Sequence, residues 1–258
     1  MIRFFKETDR KDIVRIWQEA FGDAEKYILD FLDRFGKYML VLENGKKTVS
    51  MLTLFPVKIS VDNGRYVYAV ATDKNFRNRG FAGELIEYAK RFIQEKNEKF
   101  LAILPQNAGL FEFYGKFGFS ELKCAIKIDK MVSHAENSDF CVEKIDSAAY
   151  FTLREAYFNS KRYVKWDKNM LDYFAQIYNG DYIKLSKNGR IVACAFCYLA
   201  GEKVAIPELL TREDVIDDIG EFFGKKHIVG VKEGIAGEKI AMVYPESYSD
   251  CYFGIGMN

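Results

Sequence analysis

Two stretches of this 258-residue chain echo each other. Asp9 and Asp146 each precede a run with helical spacing of apolar residues, and the runs end at Phe21 and Phe158; both pairs stand 137 residues apart. Further on, Tyr38 and Tyr182, Asn44 and Asn188, and Gly45 and Gly189 are each 144 apart, within segments that read as hairpins about an Asn-Gly turn. A shared strand–helix–helix–hairpin order at a nearly fixed period marks a duplicated fold. The growth of the offset by seven places one insertion between the helices of the second copy. Each half is then the size of one domain and must bury a core of its own. With 49% hydrophobic and 29% charged residues the chain can supply two.

The first half reads in order as the strand IRFF, a helix from Arg10 to Phe21 capped by Asp9, and a second helix near Glu25 to Arg34. The hairpin YMLVLENGKKTVSMLTLFPVKI follows, with a further turn at Asn63-Gly64 leading into the strand RYVYAVAT. Then come a loop, a helix from Phe81 to Gln94, the strand FLAIL, a helix from Ala108 to Lys116, and LKCAIKI as a closing strand. The second half opens with DFCVEKI, a helix capped by Asp146, and the hairpin YIKLSKNGRIVACAFCYL, and closes with CYFGIGMN as its last strand. Alternating strands and helices give an α/β class. The polar stretch Met131 to Asp139 separates domains spanning 1–130 and 138–258.

Several function classes are disfavoured at once. Lys+Arg 38 against Asp+Glu 37 leaves a net charge of +1, which argues against a protein that coats nucleic acid. The longest apolar stretch, Ile191 to Ala200, is half of the ~20 residues a bilayer span needs, so no membrane partner is expected. The charged N-terminus lacks the apolar core of a signal peptide, so a cytoplasmic location is expected. Five cysteines, at 124, 141, 194, 197 and 251, form no disulfide framework. Cys194 and Cys197 make a C-x-x-C inside a strand, where residues three apart face opposite ways, and so read as core residues rather than a redox pair. His134 and His227 stand alone, and no metal site is expected. Residues 1–130 hold 23 Lys/Arg against 18 Asp/Glu, and residues 131–258 hold 15 against 19, so an anion is steered to the first half and a cation to the second.

The chemistry concentrates in YAVATDKNFRNRGFAGELIEYAKRF. A strand ends at Val70, Ala71 and Thr72; a basic loop carries Arg77, Asn78 and Arg79; Gly80 opens a helix followed by Phe81 and Ala82. The first N–H groups of a helix lack intrahelical partners and its dipole is positive there, so such a junction receives anions. Gly80 and Ala82 let a diphosphate approach the main chain, and Arg77 and Arg79 add forked donors. A solvated basic loop with a glycine turn is the bland alternative. The loop is neither a P-loop nor a dinucleotide fingerprint. In the second segment, PQNAGLFEFYGKFGF, Asn107 caps a short helix on which Tyr114 lies late, and its phenol can hand a proton to a leaving thiolate. The neighbouring phenylalanines read as core.

The R-N-R-G-F-A run of Arg77 to Ala82 resembles the [Q/R]-x-x-G-x-[G/A] loop of GNAT acyltransferases, and N-A-G-L-F-E-F-Y-G-K-F-G-F resembles their later helix. The likeness covers about residues 1–130. The V-A-T-x-x-x-x-R-x-R-G spacing is most similar to the tandem-GNAT group that includes the enhanced-intracellular-survival aminoglycoside acetyltransferases. Those carry a second, degenerate GNAT-like domain. The resemblance implies a mixed-sheet GNAT acyl-CoA N-acyltransferase fold followed by such a domain. It also implies an acetyl-CoA-dependent transfer of acetyl to a primary amine, on a small molecule or a peptide. By the same analogy, main-chain groups of Val70, Ala71 and Thr72 pair with the pantetheine arm. Arg77, Asn78, Arg79, Gly80, Phe81 and Ala82 hold the pyrophosphate, Asn107 contacts coenzyme A, and Tyr114 is the general acid.

Three departures qualify the likeness. Lys74 stands where relatives often have proline. The second half offers LLTREDVIDDIG instead of a glycine loop; Thr211 and Asp214 there suit a helix cap, while Glu213, Asp214, Asp217 and Asp218 repel a diphosphate, which leaves one cofactor site per chain. A third domain, and with it a terminal carboxylate as base, has only Asn258 as its counterpart. Glu112 adjoins Tyr114 but diverges from it by ~100° on a helix, so no side-chain base is named. Two rivals remain: a non-catalytic acyl-CoA sensor or interaction module on the same scaffold, and an aminoacyl-tRNA-dependent transferase, which also pairs two GNAT-like domains.

Overall fold

A computed structural model of the protein describes residues 1–122, 125–133, 139–159, 161–234, 237 and 239–256. The chain divides into two compact units, Met1–Ser120 with Met242–Tyr248, and Glu121–Ala241 with Ser249–Asn258. Among the described residues no helix is long and apolar enough to cross a membrane.

The first unit runs β1 (Ile2–Phe4), α1 (Arg10–Phe21), α2 (Glu25–Phe35), β2 (Met39–Asn44), β3 (Lys47–Ile59), β4 (Asp62–Thr72), α3 (Phe81–Glu95), β5 (Phe100–Ile103) and α4 (Ala108–Gly115), and β6 (Ser120–Leu122), which begins at its limit, belongs to the same sheet. β1 to β4 pair in antiparallel succession, and β5 lies parallel to β4. Both faces of the sheet are covered, which is why β3 is buried from Thr48 to Phe55 without alternation. On one face Phe55 meets Phe31 of α2, whose ring lies 4.7 Å from Trp17 of α1. On the other, Leu52 and Leu54 share a cluster with Leu85, Ile86, Ala89 and Ile93, the helical stripe of α3.

Local chemistry differs from the sequence reading at three points. Asp9 precedes α1 but makes no cap bond; its carboxylate is taken by Arg3, the Lys6 N–H and the Thr48 hydroxyl. The first hairpin turns one residue later than expected, because Asn44 pairs with Lys47 and only Gly45 adopts positive φ. The turn placed at Asn63-Gly64 is made by Ser60 and Val61 instead. Gly64 sits within β4 because a Cβ there would meet the Phe100 ring at 2.5 Å.

The second unit follows the same course: β7 (Ala125–Met131), β8 (Phe140–Ile145), α5 (Ser147–Phe158), β9 (Val164–Lys165), α6 (Lys168–Tyr178), β10 (Asp181–Lys187), β11 (Arg190–Ala200), β12 (Lys203–Thr211), α7 (Ile216–Phe223) and β13 (His227–Glu233). Its sheet order, β8-β10-β11-β12-β13, matches β1-β2-β3-β4-β5 step for step, with the same single parallel pair. Asp146 caps α5 by accepting the Ala149 N–H at 2.7 Å. The inserted residues lie between α5 and α6, where nine residues replace the three between α1 and α2. At the second hairpin Asn188 and Gly189 both take positive φ, the geometry the Asn-Gly pair favours. Cys194 and Cys197 are free and buried, and His227 is held by Asp129 at 2.7 Å. Cys124 and His134 lie outside the described residues.

The domain limits expected from sequence, 1–130 and 138–258, are not those of the two units, because the halves trade strands. LKCAIKI does not close the first sheet; β7 joins the second, antiparallel to β13. The matching place beside β5 is filled by Ala241–Tyr244, with Met242 opposite Ile103 and Tyr244 opposite Leu101. The described part of CYFGIGMN, residues 251–256, forms no strand either. Cys251 to Gly256 are buried in the second unit, and the Ile255 carbonyl accepts the Trp166 indole N–H at 2.7 Å.

Candidate active site

The site begins as a fork in the first sheet. Parallel pairing of β4 with β5 runs from Gly64/Phe100 to Val67/Ile103 and stops there. β4 continues to Thr72 along β3 alone, after an irregularity at Ala69, a non-glycine residue at φ +51°. A bulge at this point re-aims the strand and separates it from its neighbour. Val70, Ala71 and Thr72 therefore face the opening with main-chain groups that β5 does not engage. On the closed side the Ser50 hydroxyl bonds the Ala71 carbonyl at 2.9 Å and the Thr72 hydroxyl at 2.8 Å, which fixes the strand end.

The loop beyond it is anchored from one side. Asp73 is buried, accepts the Asn75 N–H at 2.8 Å and pairs with Arg15 of α1 at 2.5 Å. Burial alone would raise its pKa; the Asn75 N–H and the Arg15 guanidinium outweigh that and hold the carboxyl below its usual range. Lys74, where proline had been the expected pattern, starts a single 3₁₀ turn to Phe76 and reaches Glu19 at 3.4 Å. Past this anchor the chain is exposed from Arg77 to Gly80, and Asn78 (φ +62°) and Gly80 (φ +83°) both take the left-handed conformation. Arg77 before them is extended, so the chain reverses over these residues into the start of α3. Gly80 is the N-cap of α3, and a Cβ placed on it would meet nothing within 4 Å. The space over the helix start is open. Arg77 donates to the Thr72 carbonyl at 3.1 Å and Arg79 lies 5.0 Å over the Phe76 ring, so neither guanidinium is tied to a carboxylate. Gly83, one turn in, is close-packed: a Cβ would meet Phe117 at 2.8 Å.

The third component is α4. Asn107 caps it, accepting the Leu110 N–H at 3.1 Å. Tyr114 lies late on the helix, almost wholly buried, in one cluster with Val67 and Ile103 at the fork and with Val70 against it. Its ring centroid is 5.0 Å from Phe113 and 5.8 Å from Phe119. Burial pushes the phenol well up from its ordinary value, so it keeps its proton throughout the neutral range. Glu112 points to solvent, away from Tyr114. The returning strand supports this arrangement from behind: Tyr244 packs on Phe119 at 5.9 Å, and Lys90 lies 4.7 Å over the Tyr244 ring. Sequence reasoning missed Met242 and Tyr244, because nothing in a local pattern tells a strand that it belongs to the other half's sheet.

At the equivalent place the second unit is built differently. β12 and β13 pair again beyond their irregularity, at Leu209/Lys232, so the fork is closed. Glu208, fully buried there, accepts from Arg154 at 2.7 and 3.0 Å, from the Tyr150 hydroxyl at 2.5 Å and from the Ile255 N–H at 3.3 Å. The expected Thr211–Asp214 cap does not form. α7 starts later, at Ile216, and the Thr211 hydroxyl instead accepts the Glu213 N–H at 2.9 Å. Asp217 is engaged by Lys130 and Ser133. Among the described residues, the segment from Thr211 to Ile216 has no left-handed residue to match Asn78 and Gly80. Asn258, whose carboxylate was the counterpart of a terminal base, lies outside the described residues.

Residues 1–122 match the family model described as Acetyltransferase (GNAT) domain. Solved structures of similar fold include a GCN5-related N-acetyltransferase from Anabaena variabilis, with a TM-score of 0.76 at 10% identity over 94% of this chain and 72% of that one. The counterpart from Kribbella flavida gives 0.72 at 11% identity, over 94% and 70%. Eis1 from Mycobacterium abscessus gives 0.61 at 10% identity, over 94% and 73%. At such identities the likeness is one of fold, and it spans both units. No curated protein sequence matches the chain.

Proposed function

Because its first 122 residues match the family model described as Acetyltransferase (GNAT) domain, we propose that the chain is a GNAT-type, acetyl-CoA-dependent N-acetyltransferase acting on a primary amine, with a single cofactor site in the first unit. The observation that carries this reading is the open fork at Val67/Ile103 leading to unpaired amides beside Asn78 and Gly80. Acetyl-CoA, when bound, supplies a thioester carbonyl as electrophile and a thiolate as leaving group. Its diphosphate suits the amides of Arg77 to Ala82 and the side chains of Arg77 and Arg79, where a helix N-terminus and two guanidinium groups act together. The extended pantetheine arm suits Val70, Ala71 and Thr72, which would bind it as an additional strand against the exposed edge of β4.

In the chemical step a main-chain N–H of β4 donates to the carbonyl oxygen as negative charge grows there, a contribution worth a few kcal/mol of barrier at comparable sites. The amine nitrogen forms its bond to the carbonyl carbon as the carbon–sulfur bond breaks. Tyr114 Oη, protonated at neutral pH, gives its proton to the departing sulfur; the burial that raises its pKa makes it a weaker acid, so the transfer follows the charge that builds on sulfur. The proton lost by the amine leaves through water. Calorimetric titration with acetyl-CoA, followed by a thiol-release assay over a panel of amines, tests the reading. Saturable binding lost in Gly80→Glu, with turnover lost in Tyr114→Phe, supports it. Tight binding without thiol release from any amine would make the protein an acyl-CoA sensor, and no binding would remove the cofactor assignment.

A further inference from the structure

The second unit holds a half-open groove of about 430 Å³ between α5 and the adjoining ends of β11 and β12. Leu153, Ala156 and Val192 give it an apolar wall, and Arg190 and Arg212 stand among its lining residues. Those two arginines are unlike the rest. Arg3, Arg10, Arg15, Arg34, Arg65, Arg154 and Arg162 each hold a carboxylate. Arg77 holds a carbonyl, and Arg79 and Arg91 lie over aromatic rings. Arg190 and Arg212 make no hydrogen bond, ion pair or ring contact among the described residues, although residues 131–258 carry an excess of acid. The polar groups beside them are committed: the Tyr157 hydroxyl donates to Glu233 at 3.0 Å, and the Glu213 main chain is tied to Thr211. The exposed Glu213 carboxylate, also at the groove, forms no ion pair with either arginine.

Arg212 acts electrostatically on Tyr157 but holds no carboxylate in an ion pair. Two forked cations without an ion pair, beside an apolar wall, recognise an anion with a hydrocarbon body. The volume falls within the ~300–1,000 Å³ of small-molecule sites. We propose that this groove binds a small carboxylate bearing an unbranched apolar tail, its head between Arg190 and Arg212 and its tail along Leu153, Ala156 and Val192. The site is separate from the proposed acetyl-CoA site and does not depend on it.

Octanoate is titrated into the full chain by calorimetry and by amide NMR, alongside octanamide, which lacks the charge, and acetate, which lacks the tail. Saturable octanoate binding is expected, with both analogues weaker by about tenfold or more. Arg190→Gln/Arg212→Gln removes the head contacts at two exposed positions, and Ala156→Trp fills the groove from an exposed position on α5; each should weaken octanoate about tenfold or more with unfolding temperature unchanged. Octanamide binding as tightly as octanoate would overturn the proposal, and so would the absence of saturable octanoate binding. Full octanoate affinity in Ala156→Trp, or its displacement by acetyl-CoA with both variants unaffected, would do the same.

Discussion

Replacing Gly80 by alanine separates backbone strain from ligand contact at the proposed diphosphate site. Gly80 holds φ +83° with open space around it, so an added methyl group clashes with nothing in the protein but forces an L-residue into the left-handed region. That costs about 1–2 kcal/mol, or roughly 3–8 °C in unfolding temperature for a unit of this size. Gly22, which ends α1 at φ +76° with the same emptiness about it, provides a matched control. Gly22→Ala and Gly80→Ala should therefore lose similar stability, read by thermal unfolding without ligand. Only Gly80→Ala places a methyl group where a diphosphate must approach the amides, and losing even one charge-assisted hydrogen bond of about 1.5–3 kcal/mol weakens binding about tenfold or more. Calorimetry with coenzyme A reads the difference. Equal affinities in the two variants would refute the diphosphate assignment, because strain would then account for the whole effect.

Tyr244→Ala removes the ring that backs Phe119 and, through it, Tyr114; turnover should fall severalfold while coenzyme A affinity stays within about twofold, as steady-state kinetics with parallel calorimetry would record. Arg154→Met strands the Glu208 carboxylate in the core and should cost about 3–5 kcal/mol, whereas Arg154→Met with Glu208→Leu should recover most of it; urea midpoints of the two variants check this. Burial raises the pKa values of Tyr114, Tyr150, Tyr182, Cys194 and Cys197, so the folded chain keeps protons that the unfolded chain releases near its ordinary values of about 8.5 for thiols and 10 for phenols. Stability is then full below pH ~8.5 and declines as pH rises beyond it. A urea midpoint that stays constant from pH 8 to 10.5 would contradict that sign.

Much of the fold was legible because its signals are local. The stripe of α3, the Asn107 and Asp146 caps and the Asn188-Gly189 turn each depend on residues within a few positions, and the echo between halves exposed the repeated topology. The turn at Ser60 and Val61 was not legible: Asn63-Gly64 carries the stronger turn chemistry, but Gly64 is needed where the Phe100 ring crosses the strand. The Glu208–Arg154 pair was hidden for a similar reason. A glutamate in a strand reads as solvent-facing until its partner, 54 residues away, is known. At the candidate site the loop and helix could be read directly, while the fork that opens beside them is a fact of pairing and left no mark in composition.

The traded strands bear on how the molecule is made. A ribosome releases β1 to β6 long before it reaches Met242, so the first sheet must wait with the β5 edge bare while some 120 further residues are synthesised. The helix carrying Tyr114 gains its backing from Tyr244 only after those further residues have been added. A nascent first half is thus an aggregation hazard that needs shielding, and genetic separation of the halves would leave each lacking one strand.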